Sequence, residues 1–249
     1  LLIEAFDWRR AYLLLGASGV VLGVSMALLI DDDPRDRGLH PDGEPPSRAE
    51  RGAREGASIK QAVGSGTFRS LYAACLISSI GVFVPFVHLV PAAQDLGVEQ
   101  TAAALLIALI GAGSTLGRFF LGAFADRIGR QQFLVAVYVG MGAAMTIWMA
   151  ASGFASLACF ALLFGVFYGG WVAILPTVVM DRFGGANVSG IIGILYTSVA
   201  IGTLIGPSAA GFLFDASRSY AWPIVASIAA NIVAATICCV VFARSCSAR

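Results

Sequence analysis

The stretch GSTLGRFFLGAFADRIGR, residues Gly113–Arg130, decides how this chain is read. An apolar run carries a single arginine, Arg118, and ends in an acidic and basic turn at Asp126, Arg127, Gly129 and Arg130. Its skeleton returns 89 residues later in GTLIGPSAAGFLFD, where Gly202, Gly206, Gly211 and Asp215 match Gly113, Gly117, Gly122 and Asp126. Small residues at this spacing let helix backbones approach closely in a bilayer, where no hydrophobic force drives helices together. Taken alone, either copy reads as helix packing. A fixed offset between two copies points to a duplicated unit, and internal repeats in membrane chains are the usual mark of a transporter.

Working outward, the 249 residues are 58% hydrophobic and 12% charged, against about 25% charged in a typical soluble domain. This is the composition of an all-α membrane protein. A hydrocarbon core about 30 Å thick needs about 20 apolar residues per crossing, and seven segments qualify: roughly 10–30, 68–91, 101–123, 132–151, 154–177, 188–213 and 221–242. Net charge is +1, and no nucleic-acid partner is expected. Five cysteines (Cys75, Cys159, Cys238, Cys239, Cys246) lie in or beside apolar segments without metal spacing and read as small core residues, so neither a metal site, a cofactor nor a disulfide is expected. The chain begins at Leu1 with no basic leader, and reads as part of something longer.

Lys and Arg concentrate in cytoplasmic loops, so alternate connections can be scored. The loop from Asp31 to Thr67 carries Arg35, Arg37, Arg48, Arg51, Arg54 and Lys60; Arg127 and Arg130, Arg182, and the tail residues Arg244 and Arg249 fall on the same side. The opposite side has only Arg9, Arg10 and Arg218. The bias places the long loop and the C-terminus in the cytoplasm. That loop is rich in Pro, Gly and charge and reads as an interdomain linker over residues 31–67, with a short surface helix from about Ala57 to Phe68 leading into the second span. Residues 1–30 are then the last helix of an otherwise missing N-terminal half, and 68–249 a six-helix half. Three crossings separate the two copies of the glycine skeleton, so they face opposite sides of the membrane, as in an inverted three-plus-three repeat.

These motifs resemble the major facilitator superfamily, and within it the monocarboxylate and oxalate/formate branch. Gly122-Ala-Phe-Ala-Asp126-Arg127-Ile-Gly129-Arg130 matches the superfamily's loop signature G-x3-D-x2-G-R. FVPFVHL (Phe83–Leu89) is similar to the seventh helix of monocarboxylate transporters; YGGWVAILPTVVMDRFG (Tyr168–Gly184) and GILYTSVAIGTLIGPSAAGFLFD (Gly193–Asp215) resemble the branch's tenth and eleventh helices. DWRRAY (Asp7–Tyr12) and DDDPRDRG (Asp31–Gly38) look like the flanks of a sixth helix in bacterial members, which implies that helices one to five lie outside this chain.

Arg118 is the only Lys or Arg in the interior of a span, eight residues before Asp126 and hence about 12 Å along the helix from the turn. A central arginine costs about 2.5–3.5 kcal/mol on insertion scales, so such residues face a cavity and a partner, or snorkel to the surface. A guanidinium fork fits a carboxylate with two parallel hydrogen bonds. The resemblance implies that Arg118 contacts a substrate carboxylate. Many monocarboxylate transporters also carry a proton-exchanging acid one turn earlier; here that position is Ser114, a departure that bears on proton coupling. His88 stands between Pro85 and Pro91, which would irregularise its helix and expose carbonyls; its chemistry suits a substrate or proton group and a histidine satisfied by a carbonyl equally, and its place in FVPFVHL tips the expectation toward substrate binding. Tyr168 and Tyr196 add amphipathic groups that line a cavity or pack helices. Asn231 reads as packing glue. The resemblance gives Gly122, Asp126, Arg127, Gly129 and Arg130 a gating role, a charge relay that locks the outward-facing state. The sixth segment holds no Lys or Arg; oxalate carriers of this branch use a second cation there, which favours substrates with one carboxylate.

The expectation is therefore secondary active transport of small organic anions, monocarboxylates first, by alternating access, by symport or antiport with a proton as the candidate coupling ion, in a bacterial inner membrane. The alternatives are a non-transporting sensor on the same fold and a porter for a non-carboxylate molecule. A retinal pigment needs a lysine in a span, and the only lysine is Lys60 in the loop. An enzyme needs paired carboxylates, a metal cluster or a nucleophile with its base inside the spans, and none is present in the sequence.

Overall fold

The computed structural model describes residues 2–29 and 56–247, and among the described residues all regular structure is α-helical. Among the described residues, seven helical stretches are long and apolar enough to cross a membrane. The first, α1 (Leu2–Ala27), forms a unit of its own, and its span starts earlier than the segment expected at 10–30. At Asp7 the backbone swings to φ 67°, and the Asp7 carboxylate accepts the following amide, from Trp8, at 2.7 Å. Most of the linker, with Arg35, Arg37, Arg48, Arg51 and Arg54, lies outside the described residues.

The second unit contains α2 (Ile59–Gly64), α3 (Gly66–Val82), α4 (Val84–Asp95), α5 (Gln100–Ile128), α6 (Arg130–Met149), α7 (Phe154–Phe183), α8 (Val188–Ser217) and α9 (Ala221–Ser247). The expected surface helix before the second span is α2. Ser58 caps it, accepting from the Gln61 amide at 3.3 Å while Gln61 returns its side chain to the Ser58 amide at 2.9 Å, so two otherwise orphaned donors are satisfied. The Ala57 amide donates to the Phe183 carbonyl (2.8 Å) and the Asn187 side-chain amide donates to the Ala57 carbonyl (3.2 Å), which ties this entry to the α7–α8 turn.

The second span is two helices. Pro85 has no amide hydrogen and its ring collides with the carbonyl four residues back, but in a first helical turn neither matters. The chain therefore ends α3 at Val82, passes through Phe83, and restarts α4 with Pro85 in its first turn. Pro91, expected to disturb the same span, is carried inside α4, which continues to Asp95.

Packing explains the glycine skeleton. A Cβ on Gly113 or Gly117 would strike α7 backbone at Leu162 and Val166, and one on Gly202 or Gly206 would strike α3 at Leu76 and Ile80. Matching glycines thus make matching seams, α5 on α7 and α8 on α3, while α6 and α9 pack on each other. This is the inverted repeat. Buried between the seams, Trp171 donates to the Tyr138 hydroxyl at 3.0 Å, and Ser78 on α3 donates to Asn231 on α9 at 2.9 Å, the interhelical role expected of that asparagine. Of the cysteines expected in the core, Cys75 and Cys238 are buried, whereas Cys159 and Cys239 turn outward on α7 and α9.

Candidate functional site

Gly117 is buried in the α5–α7 seam, and the next residue on the helix, Arg118, is turned onto the exposed face of α5. Among the described residues its guanidinium makes no ion pair or hydrogen bond. It lies within electrostatic reach of the hydroxyls of half-buried Tyr168 on α7 and Tyr196 on α8. Three helices thus bring together three residues singled out from the sequence. Ser114 is buried one turn before Arg118, and its backbone abuts Gly169, so it belongs to the seam.

An aromatic cluster adjoins Tyr168. Phe86 lies 5.3 Å and Phe83 6.2 Å from it, ring centre to ring centre, and Phe164 stacks parallel to it at 6.3 Å. These rings bring α4 side chains against α7 at the break between α3 and α4. Sequence reasoning missed Phe83, Phe86 and Phe164 as neighbours of Tyr168, because in an apolar span a phenylalanine carries no sign of which side it faces.

His88 belongs to a different set of contacts. Its Nε2–H donates to the Pro207 carbonyl at 2.9 Å, and its ring lies 5.9 Å from Tyr220, near the α8–α9 turn. Of the two readings open for it, a histidine satisfied by a carbonyl describes this geometry.

At the other end of the unit, Gly129 takes φ 92°, a conformation that side chains rarely adopt, and this lets α6 start immediately after α5 ends. Arg130 then meets two carboxylates: Nη1 donates to Asp181 at 2.7 Å, and Nε lies 3.6 Å from Asp126. The neighbouring rung joins Arg182 to Gln131 at 2.9 Å. Asp181 is the member that sequence reasoning missed; it and Arg182 close α7, each 51 residues after its partner, Arg130 and Gln131. Arg127 is exposed with no ion pair among the described residues, and Gly122 faces open space beside a cavity of about 200 Å³ lined by Asp126 and Arg130. No cluster of potential metal ligands occurs among the described residues.

Comparison with known proteins identifies the family of this chain. Residues 70–246 match the family model of the Major Facilitator Superfamily. Monocarboxylate transporter 12-B of Danio rerio is 31% identical over 244 residues, covering 88% of this chain and 51% of that protein. Monocarboxylate transporter 3 of Rattus norvegicus is 30% identical over 227 residues, covering 88% of this chain and 45% of its own length. The aspyridones efflux protein of Emericella nidulans is 32% identical over 138 residues, or 55% of this chain and 28% of that one. The chain thus spans about half the length of the monocarboxylate transporters that it matches. An integral membrane protein of seven candidate spans, built on an inverted helical repeat and related to monocarboxylate transporters, this chain belongs to the major facilitator superfamily, a family of transporters and not of enzymes.

Proposed function

We propose that residues 68–249 are the C-terminal half of a secondary active transporter for small organic anions, that residues 1–30 are the last helix of its N-terminal half, and that 31–67 link the two. Substrate sits near the midplane, and one half rocks against the other to change its exposure. The end of the unit that carries Asp126 and Arg130 faces the cytoplasm of a bacterial cell. The preferred substrate is a monocarboxylate, with a proton as the candidate co-substrate.

The observation that carries this reading is Arg118: a guanidinium inside a span, exposed on the helix face and free of any carboxylate among the described residues. A buried or membrane charge without a partner is costly, and a substrate carboxylate would supply one. Tyr168 and Tyr196 add hydroxyls beside it. The absence of a second cation on α8 supports one carboxylate over two.

The test is uptake of labelled lactate and pyruvate by the full-length transporter under an imposed pH gradient. Arg118→Gln should abolish accumulation at matched membrane levels. Arg118→Lys keeps the charge but loses the planar fork, and should raise KM by about tenfold, the equivalent of one charge-assisted hydrogen bond. Equal uptake by wild type and Arg118→Gln would make Arg118 structural and remove the proposed site.

A further inference from the structure

The repeat leaves a vacancy at the end opposite Arg130. The 89-residue offset that relates Asp126 to Asp215 places Ser219 where Arg130 stands in the first copy. At the first end the guanidinium takes up Asp126 and Asp181 together. At the second, the Ser219 hydroxyl accepts only the Ala221 amide at 3.1 Å, and neither Asp215 nor Asp95 forms an ion pair among the described residues. Asp95 lies two residues before the positive-φ Gly97 that follows α4, much as Asp181 lies three before Gly184 at the end of α7.

A cavity of about 440 Å³ opens at this position, lined among others by Asp95, Trp148, Phe214, Arg218, Ser219 and Tyr220. Phe214 and Tyr220 stack at 4.3 Å, and Trp148 lies 6.3 Å from Tyr220, making an aromatic wall. Burial pushes the Tyr220 phenol above its usual value, and the charges of Asp95 and Asp215 push it the same way, so both carboxylates act on this wall. Arg218 lines the cavity from a left-handed backbone (φ 53°) and has no ion-pair partner among the described residues. Opposite charges border one cavity and form no ion pair among the described residues. An ammonium is attracted both to aromatic faces and to carboxylates, and a phosphate to a guanidinium.

We propose that this cavity binds a zwitterion of the phosphoethanolamine type, its ammonium held by Asp95 and the aromatic wall and its phosphate by Arg218. The ligand takes the place that Arg130 fills at the other end. The cavity lies where α4, α6 and α8 end and α9 begins, with Trp222 63% exposed beside it, which is the level of lipid headgroups if these helices span a bilayer. A phospholipid and a soluble phosphoethanolamine ester share the chemistry.

The full-length protein in nanodiscs of equal phosphatidylethanolamine and phosphatidylglycerol, read by native mass spectrometry, separates the outcomes. Wild type should retain the ethanolamine lipid over the glycerol lipid by about tenfold, the worth of one charge-assisted contact. Ser219→Arg, which supplies the missing guanidinium, and Asp95→Asn should each bring that ratio close to one, with thermal unfolding midpoints near wild type showing that both variants are folded. Should Ser219→Arg fail to fold, Asp95→Asn and Arg218→Gln carry the test. Millimolar glycerophosphoethanolamine that displaces the lipid from wild type would support the same site with a soluble ligand as well. No lipid preference and no displacement in wild type, or a preference that survives in folded variants, would overturn the proposal.

Discussion

At the scale of single residues, the three glycines in the first copy of the repeated skeleton do two different jobs. Gly113 and Gly117 are backbone contacts, for a Cβ at either would enter the α7 main chain, which cannot yield as a flexible side chain can. Gly122, in the same motif, has nothing within 4 Å of the same hypothetical atom. Alanine substitutions should therefore act with opposite signs. Gly117→Ala should destabilise the protein by about 1–3 kcal/mol, the usual cost of overpacking. Gly122→Ala lies on an exposed helical face and should stabilise by about 0.5–1 kcal/mol through the smaller entropy lost on folding. Unfolding midpoints of the purified full-length protein in detergent check both, and a loss of stability in Gly122→Ala would show that its open space is occupied. Arg118 was legible because a lone charge in an apolar run is conspicuous. The direction in which each glycine faces was not, since it depends on the rotation of α5 against α7.

Among elements, the helices were legible from their apolar lengths, and the inverted repeat from two matched glycine spacings an odd number of crossings apart. The break in the second span was legible in cause but not in place: Pro85 and Pro91 both threatened the helix, and only the first coincides with a break, two residues upstream at Phe83. The ladder between α6 and α7 was not legible, because Arg130 and Asp181 are joined only after α5, α6 and α7 have packed. That ladder makes its own prediction. The Arg130 and Asp181 side chains are 38% and 39% exposed, so water screens their attraction. A double-mutant cycle of Arg130→Gln and Asp181→Asn should give a coupling of about 0.2–1 kcal/mol in thermal stability, smaller again in 1 M salt. A coupling of zero at low salt would reduce the 2.7 Å contact to coincidence and leave Asp126 as the partner to examine.

For the molecule as a whole, the repeat fixes a relation between its two ends that can be read without knowing the substrate. Arg127 follows the first copy's aspartate and Ser219 lies just beyond the second's, and three membrane crossings separate the copies. An odd number of crossings puts the two positions on opposite faces. In the proposed orientation, which rests on the excess of Lys and Arg around Arg127, Arg130 and Arg182, their face is cytoplasmic. Single cysteines introduced as Arg127→Cys and Ser219→Cys in a full-length protein freed of its own cysteines should therefore react differently with a membrane-impermeant maleimide. Ser219→Cys should be labelled in intact cells, and Arg127→Cys only after the cells are opened. The reverse pattern would keep the inverted repeat and overturn the orientation. Labelling of both positions from the same side would mean an even number of crossings between them; the matched seams of α5 on α7 and α8 on α3 would then lie in one sense across the bilayer, and the inverted repeat itself would be wrong.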